Sequence, residues 1–163
     1  MNLHKLLPYL AFLMLSATLI SSCKKDDETY PPIPDAVYII AKLNTGPSPT
    51  ASTSITNSAT GKVSVSPASA RVYVNTLKTF DVTIQYALSG TAVEGVNYTA
   101  PAQKSITIPA GQYFANINLP VINTPLVGGN KTIIITLSSA SNNTELGLGV
   151  DRAYKTFTYT LTN

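Results

Sequence analysis

From residue 35 onward apolar side chains recur at every second position rather than at helical spacing, which marks strands with one face toward a core. The longest such run covers residues 80 to 88, with Phe80, Val82, Ile84, Tyr86 and Leu88 on one face and Asp81, Thr83 and Gln85 on the other. Between residues 113 and 121, Tyr113, Ala115, Ile117, Leu119 and Val121 alternate with Phe114, Asn116 and Asn118. Near the C-terminus, Phe157, Tyr159 and Leu161 alternate with Thr158, Thr160 and Thr162. Shorter strands are expected at 37–43, 62–65, 71–74, 105–108 and 131–137, the last with Ile133 to Ile135 packed on both sides. Turn-forming stretches separate them: Ser89-Gly90, Pro109-Ala110-Gly111 and Val127-Gly128-Gly129-Asn130. This pattern predicts an all-β, immunoglobulin-like antiparallel β-sandwich of about seven or eight strands over residues 35–163. Residues 44 to 61, rich in Ser, Thr, Pro and Asn, read as a long exposed loop or a spread β-connection.

The first 22 residues break the pattern. A basic start at Lys5, an apolar stretch from Leu6 to Ile20 and the small residues Ser21 and Ser22 before Cys23 read as an export signal. As a helix that stretch spans roughly 22 Å at ~1.5 Å per residue, short of a hydrocarbon core of ~30 Å, so a permanent span is the weaker reading. The run Leu19-Ile20-Ser21-Ser22-Cys23 resembles the lipobox of bacterial lipoproteins, which implies cleavage before Cys23 and lipidation of its thiol, with the membrane as a partner through that lipid. Lys24-Lys25-Asp26-Asp27-Glu28 is similar to the charged tag that sends Bacteroidota lipoproteins to the outer face of the outer membrane; its plain alternative is a hydrophilic spacer. Residues 23–34 are expected to form a charged and Pro-rich linker, because the consecutive prolines Pro31 and Pro32 favour an extended chain.

Composition narrows the function. The formal charge is +3, and about +2 once residues 1–22 and their Lys5 are removed, leaving ten bases against eight acids. Those bases are scattered, so the phosphate-binding stripe of a nucleic-acid partner is missing from the sequence. One Cys cannot make an internal disulfide. The single His is His4, inside the export signal, so neither a His-based triad nor a thiolate nucleophile is expected in the mature chain. Asp35, Asp81, Glu94, Glu145 and Asp151 sit in separate segments, with no spacing that suggests a carboxylate pair. No enzyme activity and no cofactor are therefore expected. Strand parity turns Tyr73, Phe114 and Tyr154 outward beside Asn75, Asn116 and Thr156, which makes them the candidate surface for a glycan or protein partner. The alternative is a structural spacer or accessory subunit of a surface transport complex.

Residues 79 to 137 carry a family likeness. Val82-Thr83-Ile84-Gln85-Tyr86, Gly90-Thr91-Ala92, Gly95-Val96-Asn97-Tyr98-Thr99, Ile106-Thr107-Ile108-Pro109-Ala110-Gly111-Gln112 and Leu119-Pro120-Val121-Ile122 follow one another in the order of a Calx-beta domain. Leu126-Val127-Gly128-Gly129-Asn130-Lys131-Thr132 and Thr136-Leu137 continue the likeness. The resemblance implies a sandwich that, in the family, binds calcium through acidic loops. Here Asn97, Asn123, Thr124, Gly128 and Lys131 stand where those acids are usual, four neutral residues and a cation. Calcium wants 6 to 8 oxygens, several of them anionic, so no metal is expected.

Overall fold

The computed structural model describes residues 34–41, 55–148 and 150–163. The export signal, Cys23, the charged tag, nearly all of the linker and residues 42–54 lie outside them. Among the described residues nine strands form two sheets: β1 (Ala36–Ala41), β2 (Ser58–Lys62), β3 (Ala68–Val74), β4 (Val82–Gly90), β5 (Ser105–Ile108), β6 (Phe114–Leu119), β7 (Lys131–Ala140), β8 (Glu145–Leu146) and β9 (Thr156–Thr162). The four-stranded sheet has the order β6-β3-β1-β8, and the five-stranded sheet β2-β9-β7-β4-β5. Their inner faces close one core. The expected all-β sandwich is the observed one, with nine strands in place of seven or eight. Its pairing is antiparallel except at two edges, where β8 runs parallel to β1 and β2 parallel to β9.

Alternation explains the core. Val37 and Ile39 of β1, Ala70, Val72 and Val74 of β3, and Ile117 and Leu119 of β6 point inward, against Val82, Ile84 and Tyr86 of β4, Ile133, Ile135 and Leu137 of β7, and Phe157, Tyr159 and Leu161 of β9. Ile134 is half-buried, so β7 is apolar on both faces but sealed on only one. Past Leu137 the β7 alternation slips, because the pairing Tyr86↔Leu137 is followed by Gln85↔Ser139 and leaves Ser138 as the extra residue of a bulge. The strand thereby continues to Ala140, three residues beyond its expected end.

Four expectations from the sequence are corrected. Strand β4 starts at Val82, and Phe80 lies in the preceding loop, 42% exposed, because Asp81 turns back to accept the Ala110 N–H. Tyr113 also stands outside its strand: its carbonyl accepts the Val74 N–H while its ring is 54% exposed. The strand expected at 62–65 falls earlier, at Ser58–Lys62, so the end of the presumed long loop is an edge strand. Tyr154 belongs to a 3-10 helix, Val150–Lys155, in which Asp151 and Arg152 take left-handed backbone angles; that kink ends the alternation that would have placed it on β9.

Two ties hold the start of the domain. The Asn75 side chain accepts the Ala36 N–H at 2.9 Å and donates to the Pro34 carbonyl at 2.8 Å. Lys78, 8% exposed, forms an ion pair with Asp35, whose carboxyl it holds below its ordinary range with help from the Thr76 hydroxyl.

Strand β2 can lie against β9 only because residue 61 is glycine: a Cβ there would stand 2.0 Å from the Tyr159 hydroxyl oxygen and 2.9 Å from the ring carbon that bears it. Substitution Gly61→Ala should therefore cost about 1–3 kcal/mol through overpacking. In a Tyr159→Phe background, where only the oxygen is gone, part of that loss should be recovered. Denaturant unfolding of the four chains checks this, and equal losses in both backgrounds would contradict it.

Candidate functional site

The outward face of the four-stranded sheet is ordered by register. Tyr38 of β1 stands opposite Tyr73 of β3, which stands opposite Phe114 of β6, so three aromatic rings form one row across the strands. The Tyr38 and Tyr73 rings stack with centroids 5.5 Å apart and 12° between planes, and Tyr73 meets Phe114 at 5.4 Å and 48°. Such pairs contribute about 0.5–1.5 kcal/mol beyond the area they bury, which rigidifies the row without hiding it. Tyr38 and Tyr73 are half-buried and Phe114 is exposed. Burial, and next the neighbouring Tyr73, push the Tyr38 hydroxyl above its ordinary pKa, so it remains a hydrogen-bond donor through the neutral range.

The next row across the same strands is Ile40, Arg71 and Asn116. The Arg71 guanidinium lies over the aromatic row, 4.1 Å from the Phe114 ring centre and 5.9 Å from that of Tyr73. Its Nε donates to Asn116 Oδ1 at 2.9 Å and its Nη1 to the Tyr73 hydroxyl at 3.3 Å. Arg71 is only 8% exposed, yet among the described residues no carboxylate pairs with it. A desolvated guanidinium is stabilised here by ring quadrupoles and neutral acceptors, which leave its positive charge uncancelled. Further along, Ser69 Oγ donates to Asn118 Oδ1 at 2.8 Å.

Of the residues picked out by parity, Tyr73 and Phe114 come together, and Tyr154 joins no aromatic pair among the described residues. Sequence reasoning passed over Tyr38 and Arg71. Both were accessible to it: Tyr38 lies between inward-facing Val37 and Ile39, and Arg71 is two residues before Tyr73 on the same strand face.

The positions related to calcium acids lie at the sandwich end formed by the β4–β5 and β6–β7 loops. Asn97 is buried, and its Oδ1 accepts the Val93 N–H at 2.8 Å while its backbone carbonyl accepts the Ile122 N–H. Thr124 donates its hydroxyl to the Val96 carbonyl at 2.9 Å. Asn123 is exposed. Gly128 has a φ of 79°, and the Lys131 ammonium lies 3.9 Å from where a Cβ on it would stand. Glu94 is an exposed carboxylate of these loops; it raises the pKa of the neighbouring Tyr98 hydroxyl, a smaller effect there than burial. Among the described residues no three His, Cys, Asp or Glu side chains cluster closely enough to hold a metal ion.

No protein-family model matches the chain, and no curated protein matches it. Solved structures do. A crystal structure of calcium binding domain CBD12 of CALX1.1 superposes with a TM-score of 0.55 at 16% identity, covering 64% of this chain and 41% of that one. The apo form of the Calx CBD1 domain superposes with the same TM-score and identity, over 65% of this chain and 89% of that one. The chain thus spans less than half the length of the CBD12 structure and most of the single CBD1 domain. At this identity the likeness is one of fold, and the fold is that of the Calx calcium-binding domains.

Proposed function

We propose that the chain is a lipid-anchored, non-catalytic binding protein. In this reading residues 1–22 direct export, Cys23 carries the lipid, and the tag at 24–28 sends the protein to the outer membrane, facing the cell exterior. The outward face of the four-stranded sheet takes a glycan or protein partner. The observation that carries the binding role is the row Tyr38–Tyr73–Phe114 with the Arg71 guanidinium laid along it. Flat rings stack on the C–H faces of sugars, while Asn116, Asn118 and Ser69 offer hydrogen bonds to hydroxyls. A spacer has no use for a contiguous aromatic row.

The disposition of the acids supports a non-catalytic reading. Asp35 is engaged by Lys78, Asp81 by the Ala110 N–H, and Glu145 by Arg152. Calcium does not fit the loop end either. The Asn97 and Thr124 side chains are occupied in local hydrogen bonds, Lys131 adds a positive charge, and the one carboxylate of these loops, Glu94, with neutral oxygens does not offset the dehydration of Ca²⁺.

Three measurements test the proposal. Full-length protein titrated with a panel of neutral and acidic polysaccharides should bind at least one of them, and Tyr73→Ala or Phe114→Ala should each weaken binding roughly tenfold, about 1.4 kcal/mol. Binding that both substitutions leave unchanged places the site elsewhere. Cys23→Ala should leave the precursor uncleaved or free it from membranes; a normally cleaved, membrane-held Cys23→Ala chain would contradict the anchor. The melting temperature should be the same in millimolar calcium and in chelator. A ligand at about 100 times its dissociation constant stabilises by roughly 2.7 kcal/mol, so a rise of several degrees with calcium would show that other oxygens rebuild a site.

A further inference from the structure

The two ends of the sandwich are not alike. At the end where the chain enters β1, the β3–β4 loop and the β5–β6 loop are knitted together: the Gly111 N–H donates to the Lys78 carbonyl at 2.8 Å, the Ala110 N–H to Asp81 Oδ1 at 2.9 Å, and the Val74 N–H to the Tyr113 carbonyl at 2.9 Å. From this fixed loop pair Leu77, Phe80 and Tyr113 project with 50%, 42% and 54% of their surface exposed. Two of these three side chains are aromatic, and all three stand on a loop pair braced by hydrogen bonds. The charges beside them are Asp35, Lys78 and Asp81, of which the first two pair with each other and the third holds a backbone N–H. The tip is therefore apolar, with Asp81 its one uncompensated charge.

We propose that this tip docks into the interfacial layer of the membrane that carries the lipid anchor, an inference that rests on the lipidation of Cys23 proposed above. Chain length supplies the occupant. Pro34 is tied to this same end through Asn75, and Pro34 is 34 − 23 = 11 residues from Cys23. Eleven residues reach roughly 34 Å as an extended polyproline chain and average about 17–20 Å as a flexible one, so the lipid surface lies within a tether's length of Leu77, Phe80 and Tyr113. Val93, Val96 and Val127 are exposed at the opposite end, but Pro34 is tied away from it, and Tyr98, the aromatic residue of those loops, is buried. Aromatic rings with a polar tip favour the headgroup boundary, and a tip with no excess of bases engages it without needing anionic lipid.

The chain has no tryptophan, so one substitution supplies a single reporter. Full-length Y113W, purified after cellular processing, is reconstituted into phosphatidylcholine vesicles with brominated or ordinary acyl chains; V127W, at the far end, serves as the reference. Mass spectrometry of the N-terminal peptide reads acylation of Cys23 separately. The expected result is an acylated chain in which bromine quenches the Y113W indole at least twofold more than that of V127W. Adding L77S and F80S, both at exposed positions, should bring Y113W down to the V127W level. Acylated protein with equal quenching at the two ends, or quenching that L77S and F80S leave untouched, overturns the docking while the anchor stands. A blue-shifted but unquenched Y113W indole means burial against a second copy and also overturns it. An unacylated Cys23 removes the anchor, and the docking falls with it.

Discussion

A strand turns successive side chains to opposite faces, so every residue a sandwich commits to its core leaves a neighbour that must be accommodated outside. In this domain the inner positions form a continuous apolar set running through seven strands of both sheets. The consequence is most visible on β1 and β3. Val37, Ile39, Val72 and Val74 go inward, and the register then sets Tyr38, Arg71 and Tyr73 beside one another on the opposite face. The aromatic row is thus a product of the same parity that builds the core. A one-residue slip of β3 would bury Arg71 among valines and break both at once.

Arg71 shows how the outer face meets its own electrostatic demand. Removing a guanidinium from water is unfavourable unless its N–H groups and charge find compensation. Here its charge sits over the Phe114 ring, Asn116 and the Tyr73 hydroxyl take its hydrogens, and Asn116 is held at the right height by the β3–β6 ladder. The arrangement fixes the side chain while keeping its charge, whereas Lys78 and Arg152 are each neutralised by a neighbouring carboxylate.

What the sequence disclosed, and what it withheld, follows from how far each contact reaches along the chain. Strands β4, β6 and β9 announce themselves by alternation, because their inward residues are consecutive members of one local pattern. Phe80 and Tyr113 extend those patterns by one step and mislead, since a side-chain acceptor at Asp81 and a backbone bond from Val74 end the strands first. Strand β8 is two residues long, too short to show any period, and exists only because the β1 backbone offers it an edge. Strand β2, with the sequence SATGK, has no apolar pattern of its own and is recruited by β9 through the space at Gly61. At the candidate surface Tyr73 and Phe114 were legible from parity, while their partnership with Tyr38 and Arg71 needed the strand order. Tyr154 fails because a left-handed kink at Asp151 and Arg152 carries no alternation signal.

The ties at the start of β1 also govern how the domain meets mechanical load. Pro34 sits at one end of the sandwich, while Asn163 is held at the other, where its side chain accepts the Leu126 N–H. A pull between them runs along the strands and not across them. The five residue pairs that join β1 to β3 would then be loaded side by side in shear, together with the six that join β7 to β9, and would have to yield together and not one after another as in an opening zipper. A domain pulled between these two ends is in this geometry a stiff link, because neither ladder can be opened one pair at a time.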